Sequence, residues 1–357
     1  MYTSRLALAF IILLIISGCK TGINPPDPPK PGKRDYVWTI DTLSYPGSAQ
    51  TLMRDIWASS ASDVYVVGYD QVYGQMYHYN GSTWTSVKLA ISQGGQIEPG
   101  FELNHIFGFN SNDIWVIGDR LRANALPPPD FIFKGLIIHY DGSVWREVPI
   151  NHNSIMAAIW GSAPNDVWFS AVDGALFHYD GIQISRVQFD SSISVNTMHG
   201  ISPNSLYAMG IRDVDTVEPE DTAQYVSLHY DGVQWKQLDS FLVYPGFIDD
   251  KFGIYDLWGV SDQEMFSVGR YLFLWNGVSW QTVRYTIIPY FKINGTRSNH
   301  VFAVGDANII DHFNGSDWYR YREFLDQQKY AISVWCDESE VFVVSAGYGK
   351  TFIEHGQ

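Results

Sequence analysis

The sequence predicts an all-β fold built from seven copies of one four-stranded unit, and three observations lead to this prediction. Aromatic residues make up 15% of the 357-residue chain and charged residues only 17%, so the chain can bury a large core. An apolar–Trp–Gly motif recurs at intervals of 36 to 59 residues. After most of these motifs comes an Asn-Gly or Asp-Gly pair flanked by apolar runs, which is the strongest short-range signal for a β-hairpin.

The chain begins with a targeting signal in residues 1–18. Arg5 precedes an apolar run, Leu6 to Ile16, that is too short to span a bilayer comfortably and has the form of a secretory signal peptide. Ile16-Ser17-Gly18-Cys19 resembles the lipobox of bacterial lipoproteins. The resemblance implies cleavage before Cys19, acylation of that residue with chains such as palmitate, and a location in the bacterial cell envelope, with the outer membrane expected. An uncleaved helix or an ordinary signal peptide with a chance Cys is the alternative.

A proline-rich tether follows the lipidated Cys19 and extends to residue 35. Five prolines between Lys20 and Lys33 rule out a helix or a strand ladder and favour extended polyproline II structure. At about 3.1 Å per residue, the tether would hold the folded body about 40 Å from the membrane.

Residues 36–357 contain the repeats, and we name the four strands of each unit A to D. Strand A carries the first motif, at Ile56-Trp57, Ile106-Phe107-Gly108, Ile159-Trp160-Gly161, Met198-His199-Gly200, Leu257-Trp258-Gly259, Ile293-Asn294-Gly295 and Val334-Trp335. Strand B follows a short polar turn and starts at Val64, Ile114, Val167, Leu206, Met265, Val301 and Val341. The hairpin between strands C and D contains Asn80-Gly81, Asp141-Gly142, Asp180-Gly181, Asp231-Gly232, Asn276-Gly277 and Asn314-Gly315.

The seventh copy lacks strand D, and the missing strand is present at the other end of the repeats. Tyr36-Val37-Trp38-Thr39-Ile40 resembles the Trp-bearing D strands and precedes the first copy. Pairing this segment with the last copy would close a ring and remove an exposed sheet edge. We therefore predict a seven-bladed β-propeller with four-stranded antiparallel blades, closed by the N-terminal strand. An open solenoid is the alternative, but it does not explain why the last copy stops one strand short.

The repeat resembles that of bacterial propeller lipoproteins with Trp-Gly and His-Tyr-Asp-Gly motifs, and it covers nearly all of residues 36–357. It is more distantly similar to the Asp-box of sialidase-type propellers. In the present chain, however, the acidic residue and the glycine are adjacent, as in Asp141-Gly142. The sialidase catalytic residues have no counterparts that can be assigned here. The resemblance thus implies the propeller fold and implies no activity.

The charge balance limits the partners. The formal net charge is −15, from 23 Lys and Arg against 38 Asp and Glu. Phosphate binding requires a clustered basic surface, so neither a nucleic acid nor an anionic membrane surface is expected as a partner, and membrane contact is expected only through the lipid anchor. With Cys19 lipidated, Cys336 has no disulfide partner and is expected to be a buried free thiol.

All long insertions are predicted on one face of the propeller, because they fall in B–C or D–A connections whereas the A–B and C–D turns are short. Loops on a rigid scaffold commonly carry ligand sites, although insertions can also drift wherever short turns are not required. Carboxylates and aromatic rings in these insertions could anchor a protein or stack on a glycan. The candidate binding residues are Phe131, Phe133, Asp213, Asp215, Glu218, Glu220, Tyr244, Phe247, Asp249 and Asp250.

No catalytic residues, cofactor or metal site are predicted. A calcium ion could bind the acidic loop, but Asp213-Val214-Asp215 lacks the spacing of a dedicated calcium loop, and a solvated loop is favoured. The repeated His78, His139, His178, His229 and His312 occupy one position in different blades, so we interpret them as framework rather than as a metal cluster. The repeated Asp63, Asp113 and Asp166 are expected to accept backbone N–H bonds in the A–B turns.

The sequence therefore predicts a membrane-tethered binding module that engages a protein or a glycan at the cell envelope through the face of long insertions. The alternative is a carbohydrate-active enzyme, either a glycoside hydrolase or a lyase. Its signature would be a pair of carboxylates about 5 to 9 Å apart on the same face. An assembly scaffold for other envelope proteins differs from the first hypothesis only in its partner.

Overall fold

The computed structural model of the protein describes residues 31–89, 97, 100–123, 131–214, 222–244 and 250–357. Within these residues the chain forms seven four-stranded antiparallel sheets, and the innermost strand of each sheet lies against that of the next sheet around a ring. The prediction of a seven-bladed β-propeller is confirmed. Residues 1–18 and Cys19 lie outside the described residues. No helix that is long and apolar enough to cross a membrane occurs among the residues described.

Blades one to four follow each other along the chain, each with strands A to D ordered from the channel outwards. Their strands are β2 Thr51–Ser60, β3 Asp63–Asp70, β4 Met76–Tyr79 and β5 Trp84–Ser86; β6 Glu102–Asn110, β7 Asp113–Ala123, β8 Phe131–Tyr140 and β9 Trp145–Val148; β10 Met156–Ala163, β11 Asp166–Ala171, β12 Leu176–Tyr179 and β13 Ile184–Arg186; and β14 Ile193–Ser202, β15 Ser205–Asp213, β16 Ala223–Tyr230 and β17 Trp235–Val243.

Blades five to seven complete the ring, and the last blade takes its outermost strand from the N-terminal side of the chain. The strands are β18 Asp256–Ser261, β19 Glu264–Val268, β20 Leu272–Trp275 and β21 Trp280–Arg284; β22 Tyr290–Arg297, β23 His300–Gly305, β24 Ile310–Phe313 and β25 Trp318–Arg320; and β26 Lys329–Cys336, β27 Val341–Gly347, β28 Lys350–Gly356 and β1 Trp38–Leu43. A short 3₁₀ helix, Arg322–Phe324, connects blades six and seven.

Strand β1 closes the ring by pairing antiparallel with β28, from Trp38 opposite Gly356 to Leu43 opposite Thr351. The predicted closing strand began two residues earlier, at Tyr36. That residue is instead buried against blade six, where its ring contacts Phe302. The closure thus joins the first part of the repeats to both of the last two blades.

The Trp-Gly motif has a direct packing explanation. The indole of Trp160 covers Gly200 of the next blade so closely that a Cβ atom on that glycine would lie 2.3 Å from the ring. Trp57 covers Gly108 and Trp258 covers Gly295 in the same way. Each aromatic residue therefore needs a partner without a side chain, which explains why the two residue types recur together.

The A–B and C–D turns of a blade contact each other and form one surface, which we call the turn face. The C–D glycine has a positive φ, as at Gly181 (φ +90°), which suits glycine, and a Cβ there would lie 2.7 Å from Asn165 in the A–B turn. The same contact recurs in the other five blades with this hairpin. The opposite surface, formed by the B–C and D–A connections, is called the long-loop face.

Much of the predicted long loops is strand. In blade two, β7 and β8 extend the hairpin as far as the pair Ala123 and Phe131. In blade four, β15, β16 and β17 extend together as far as Asp213, Ala223 and Val243. The described parts of these two B–C insertions are therefore strand rather than irregular loop, because continued backbone pairing satisfies their polar groups, and in blade four Phe241 of the extension packs into the core.

Candidate binding face and central channel

A cleft of about 560 Å³ opens on the long-loop face above blade five, and we call it the blade-five cleft. Its walls are aromatic and aliphatic, with Tyr225 and Val243 from blade four and Phe252, Tyr255, Tyr271 and Ile287 from the two sides of blade five. The Tyr255 side chain is half exposed, and that of Ile287 is fully exposed. A cleft of this size, apolar with few polar groups, is typical of a ligand site.

One ion pair supplies the charge in this cleft. The Arg270 Nε atom lies 3.8 Å from Asp250 Oδ2, with the arginine side chain 44% exposed and the aspartate 12% exposed. Because the guanidinium is the more exposed partner, it can also bind a carboxylate or a carbonyl oxygen of a ligand. The blade-five cleft therefore presents aromatic walls with one donor-rich group.

A second concavity, of about 830 Å³, is the central channel of the propeller. All seven A strands line it. In six of them the pairing with strand B is shifted by one residue, as between Met53 and Asp55, and such bulges re-aim side chains. The residue after each bulge and its blade-five equivalent occupy one equivalent position in the seven A strands: Asp55, His105, Ala158, Thr197, Asp256, Lys292 and the fully buried Ser333.

Lys292 holds two carboxylates of this set together. Its Nζ atom lies 3.5 Å from Asp55 Oδ1 and 3.8 Å from Asp256 Oδ1, which links blades five, six and one across the channel. Ser333 donates to Asp55 (2.6 Å), and Thr197 donates to Asp256 (2.9 Å). One ammonium thus offsets part of the charge of the two carboxylates, and hydroxyl groups donate hydrogen bonds to both.

The same two carboxylates also stabilise the inner edge of the sheets. Asp55 accepts a hydrogen bond from the backbone N–H of Ile106 in the next blade (3.2 Å), and Asp256 accepts one from Ile293 (3.1 Å). The innermost strand of a blade has no further strand to pair with on its channel side. The two carboxylates therefore accept hydrogen bonds from backbone N–H groups that would otherwise lack a partner.

The protonation states follow from this arrangement. Burial opposes ionisation of Asp55, but Lys292 and the hydrogen bonds from His105 and Ser333 outweigh it and hold the pKa of Asp55 far below its usual range. Burial likewise opposes the charge of Lys292, whereas Asp256 and Asp55 raise its pKa. Asp55 and Lys292 thus remain charged at neutral pH, and Asp55 has no proton to donate in general acid catalysis.

The repeated histidines are framework, as interpreted from the sequence. His78 and His139 bind Asp63 and Asp113 with Nε2–Oδ1 distances of 2.7 and 2.8 Å. Each imidazole also stacks on an aromatic ring of strand B, as His139 does on Trp115 with ring centroids 4.0 Å apart. The expectation that these aspartates serve the A–B turn backbone was wrong, because the histidine of strand C reaches them across the sheet.

The predicted site residues are spread over several blades. Phe131 and Phe133 are exposed on the extended hairpin of blade two, whereas Asp213 ends strand β15 in blade four. Tyr244 follows β17, and Asp250 lines the blade-five cleft. Blade three separates the phenylalanines from the others, so they do not form one site. The remaining candidates, Asp215, Glu218, Glu220, Phe247 and Asp249, lie outside the described residues.

No three metal-binding side chains converge in the part of the chain that the structure describes. Since much of the acidic segment lies outside that part, the solvated loop that the sequence favours over a calcium site stays a prediction. Cys336 is a buried free thiol, as expected, and burial raises its pKa.

Apart from Asp250, none of the residues that line the two concavities is among the site residues predicted from the sequence. The equivalent positions in the A strands could have been found by aligning the repeats, since they immediately precede the apolar–Trp motif and six of the seven are polar. Tyr255 precedes Asp256, the equivalent residue of blade five, by one position, and Arg270 and Tyr271 form a short B–C turn. These segments are short, so loop length does not distinguish them from the other turns.

The protein is thus a seven-bladed β-propeller whose central channel adjoins a cleft on the long-loop face. Several solved structures are similar to it. The structure of YCF48 bound to a D1 peptide has a TM-score of 0.61 and 13% identity, covering 91% of this chain and 99% of that chain. YCF48 from Cyanidioschyzon merolae has a TM-score of 0.58 and 11% identity, covering 88% and 98%.

The WD40 β-propeller domain of Doa1 is also similar, with a TM-score of 0.57 and 13% identity over 89% of this chain and 97% of that domain. At such identities the likeness establishes the fold alone. No protein-family model matches the chain, and no curated protein matches it.

Proposed function

We propose that the protein is a membrane-tethered binding module of the bacterial cell envelope that holds a segment of a partner protein on its long-loop face. The observation that carries the proposal is the position of Tyr255. Its side chain lines the blade-five cleft and also the central channel, and its ring contacts Phe291 at the channel mouth with centroids 6.0 Å apart. The two concavities thus adjoin, and one extended segment can occupy both.

The chemistry of the cleft suits a peptide. Exposed tyrosine and aliphatic side chains supply apolar contact area, and aromatic and arginine residues are enriched at the centres of protein interfaces. Arg270 can bind a main-chain carbonyl or an acidic side chain of the partner, while Asp250 can accept from a main-chain N–H. A protein of similar fold, YCF48, has been solved with a peptide bound, which supports a peptide as the class of ligand.

A glycan is the second candidate, because tyrosine rings also stack on sugars. Tyr225, Tyr255 and Tyr271 line the cleft, and Tyr285 lies beside Tyr271 with ring centroids 5.1 Å apart. Because these four tyrosines lie at the blade-five cleft, we also test glycans as ligands.

Catalysis finds less support in the channel. Asp55 and Asp256 are the two carboxylates that approach each other there, since both contact the same ammonium, at 3.5 and 3.8 Å. Lys292, however, occupies the space between them where a sugar would have to bind. The pKa of Asp55 is lowered rather than raised, which is the opposite of what a general acid requires.

The tethering part of the proposal depends on residues 1–35 and on the lipobox-like Cys19. Acyl chains on Cys19 would place the module at a membrane, with the outer membrane of the envelope favoured. Radiolabelled palmitate incorporation into the chain in bacterial cells, compared with a Cys19→Ser variant, tests this part separately.

The ligand proposal is tested by panning a phage-displayed library of short random peptides against the immobilised mature chain. We expect enriched peptides whose affinity falls by about tenfold or more in Tyr255→Ala and in Arg270→Glu, as for interface anchors. Tyr73→Ala is the matched control, since Tyr73 is an exposed tyrosine on the long-loop face of blade one. A parallel glycan array tests the second candidate with the same variants. Peptide binding that is indifferent to both cleft variants would refute the proposed site.

A further inference from the structure

Three neighbouring blades expose aliphatic side chains at one equivalent position on the turn face. Ile182, Val233 and Val278 follow the C–D glycine of blades three, four and five, and they are 88%, 85% and 83% exposed. Blades one, two and six have serine at this position: Ser82, Ser143 and Ser316. Serine therefore fits the turn, and the three aliphatic residues have no structural role in it. We call them the apolar tips.

The N-terminal segment reaches the propeller on the same face. The backbone N–H of Gly32 donates to the carbonyl of Asn314 in the C–D turn of blade six (3.1 Å), and Arg34 binds Asp317 of that turn (3.0 Å). Lys33 contacts the carbonyl of Ser339 in the A–B turn of blade seven (3.5 Å). The chain therefore enters the fold at blades six and seven, directly beside the arc of blades that carries the apolar tips.

The number of residues before this point limits how far the turn face can move from an anchor. Twelve residues separate Cys19 from Gly32, which at about 3.1 Å per residue span about 40 Å at full extension. An anchor attached through so short a tether keeps the turn face at a high effective concentration near the bilayer, so that weak insertion of a few side chains suffices for contact. Val37, which is 71% exposed next to the closing strand, adds apolar surface at the same point.

We propose that the apolar tips dock the turn face onto a phospholipid bilayer, so that the long-loop face points away from the membrane towards its partner. This adds a second membrane contact to the lipid anchor, which the sequence analysis expected to be the sole one. This inference rests on the proposed tethering. The lipid should be zwitterionic, because Asp180 and Asp231 stand two residues before the tips in blades three and four and the chain carries a net charge of −15. An anionic surface would repel these carboxylates.

The test attaches the full mature chain chemically to phosphatidylcholine vesicles through Cys19 and a maleimide lipid. Cys336 is buried and does not compete, and the anchor does not depend on lipidation in the cell. An environment-sensitive fluorophore is placed at position 234, beside the tip of blade four, through an unnatural amino acid. The matched control carries it at position 144, the equivalent position in blade two.

We expect the fluorophore at position 234 to shift to shorter wavelength and to be quenched by lipid-attached quenchers, whereas the one at position 144 stays as in water. The combined variant Ile182→Ser, Val233→Ser and Val278→Ser should abolish the shift at 234 without changing the circular dichroism or the thermal unfolding. Vesicles containing phosphatidylserine should reduce the shift.

Two results would overturn the docking. A fluorophore at 234 that reports water in pure lipid vesicles would show that the tips have another partner, such as a protein. A shift that persists in the triple serine variant would show that some other surface contacts the bilayer. Because the anchor is supplied chemically, either result leaves the palmitate and peptide experiments to decide the proposed function.

Discussion

The ammonium of Lys292 lies 3.5 Å from the carboxylate of Asp55, which joins blade six to blade one across the channel. The neighbouring Asp256 lies 3.8 Å from the same nitrogen. A propeller blade contacts only its neighbours through strand packing, so this cluster couples three blades from the inside. It complements the outer closure by β1.

Replacing Lys292 by methionine should therefore destabilise the fold strongly. The variant leaves two carboxylates facing each other without a cation, and breaking a buried ion cluster on one side typically costs about 3–5 kcal/mol. The deficit should shrink as the pH falls, since protonation of one carboxylate relieves the repulsion. Urea unfolding at pH 8 and pH 5 measures both effects.

Blade three has Ala158 at the equivalent position, so this position does not require a charged residue in every blade. The control therefore removes one of the carboxylates as well: combining Lys292→Met with Asp55→Asn should recover part of the lost stability. If the single variant unfolds like the wild type, the cluster does not contribute to stability.

Trp38→Ala should weaken the closure of the ring. The Trp38 ring packs against Phe324 and Tyr321 with centroids 4.8 and 5.2 Å away, so its removal leaves a cavity between β1 and the connection of blades six and seven. We expect a loss of about 3 kcal/mol in the free energy of unfolding. Ile40→Ala on the same strand, at a side chain that is 54% exposed, should change it by less than about 0.5 kcal/mol.

Gly200→Ala should displace Trp160, because the new Cβ would lie 2.3 Å from the indole. Overpacking of this kind costs about 1–3 kcal/mol. Trp160→Phe in the same chain should relieve the clash, since blade two has Phe107 at this position, so that the double variant loses less than the sum of the two single variants. Additive losses in a double-mutant cycle would show that the two residues do not interact as described.

His312 should make stability dependent on acid. Burial, then His300 and Arg34, lower the pKa of His312 to about 3, below its unfolded value of about 6.5. As the pH falls below about 6.5 the unfolded chain binds a proton that the folded chain rejects, so stability decreases down to about pH 3. Between pH 7 and pH 5 this site alone should remove about 2 kcal/mol.

The matched variant is His312→Leu, because blade five has Leu274 at the equivalent position of strand C. Its unfolding free energy should fall less steeply between pH 7 and pH 5 than that of the wild type. Guanidinium titrations at several pH values decide this, and identical slopes would place the acid sensitivity at another group. His300, which donates to or accepts from His312 at 3.0 Å, also has a lowered pKa and contributes to the remaining slope.

The architecture could be predicted from the sequence because its determinants are local and repeated. The hairpin at Asp180-Gly181 and the pairing of Trp160 with Gly200 each depend on residue types at fixed spacing; the hairpin recurs in six blades and the Trp–Gly contact at three blade boundaries. Even the closing strand could be identified, because Trp38 copies a feature of the other D strands. Its start was predicted two residues early because burial of Tyr36 against blade six cannot be seen from a local pattern.

The candidate site could be predicted only as a face of the propeller. The long insertions indicated where elaboration occurs, and Asp250 does line the blade-five cleft. Phe131 and Phe133, in contrast, lie on blade two. The aromatic and acidic residues that the sequence grouped into one candidate site are therefore on different blades. The B–C turn that carries Arg270 is short, so its length does not mark it as a candidate site. Arg270 becomes a candidate because the fold places it in the blade-five cleft beside Asp250.

The sequence by itself determined the number of blades, the strand order, the closure and the face on which the insertions lie. The first two follow from short motifs that repeat along the chain, the closure from the D strand that the seventh copy lacks, and the face from the lengths of the connections. Only the tertiary structure decided which side chains meet in the channel and in the cleft. Asp55, Asp256 and Lys292 are far apart along the chain, and it is the closed ring that brings their opposite charges within 4 Å of each other.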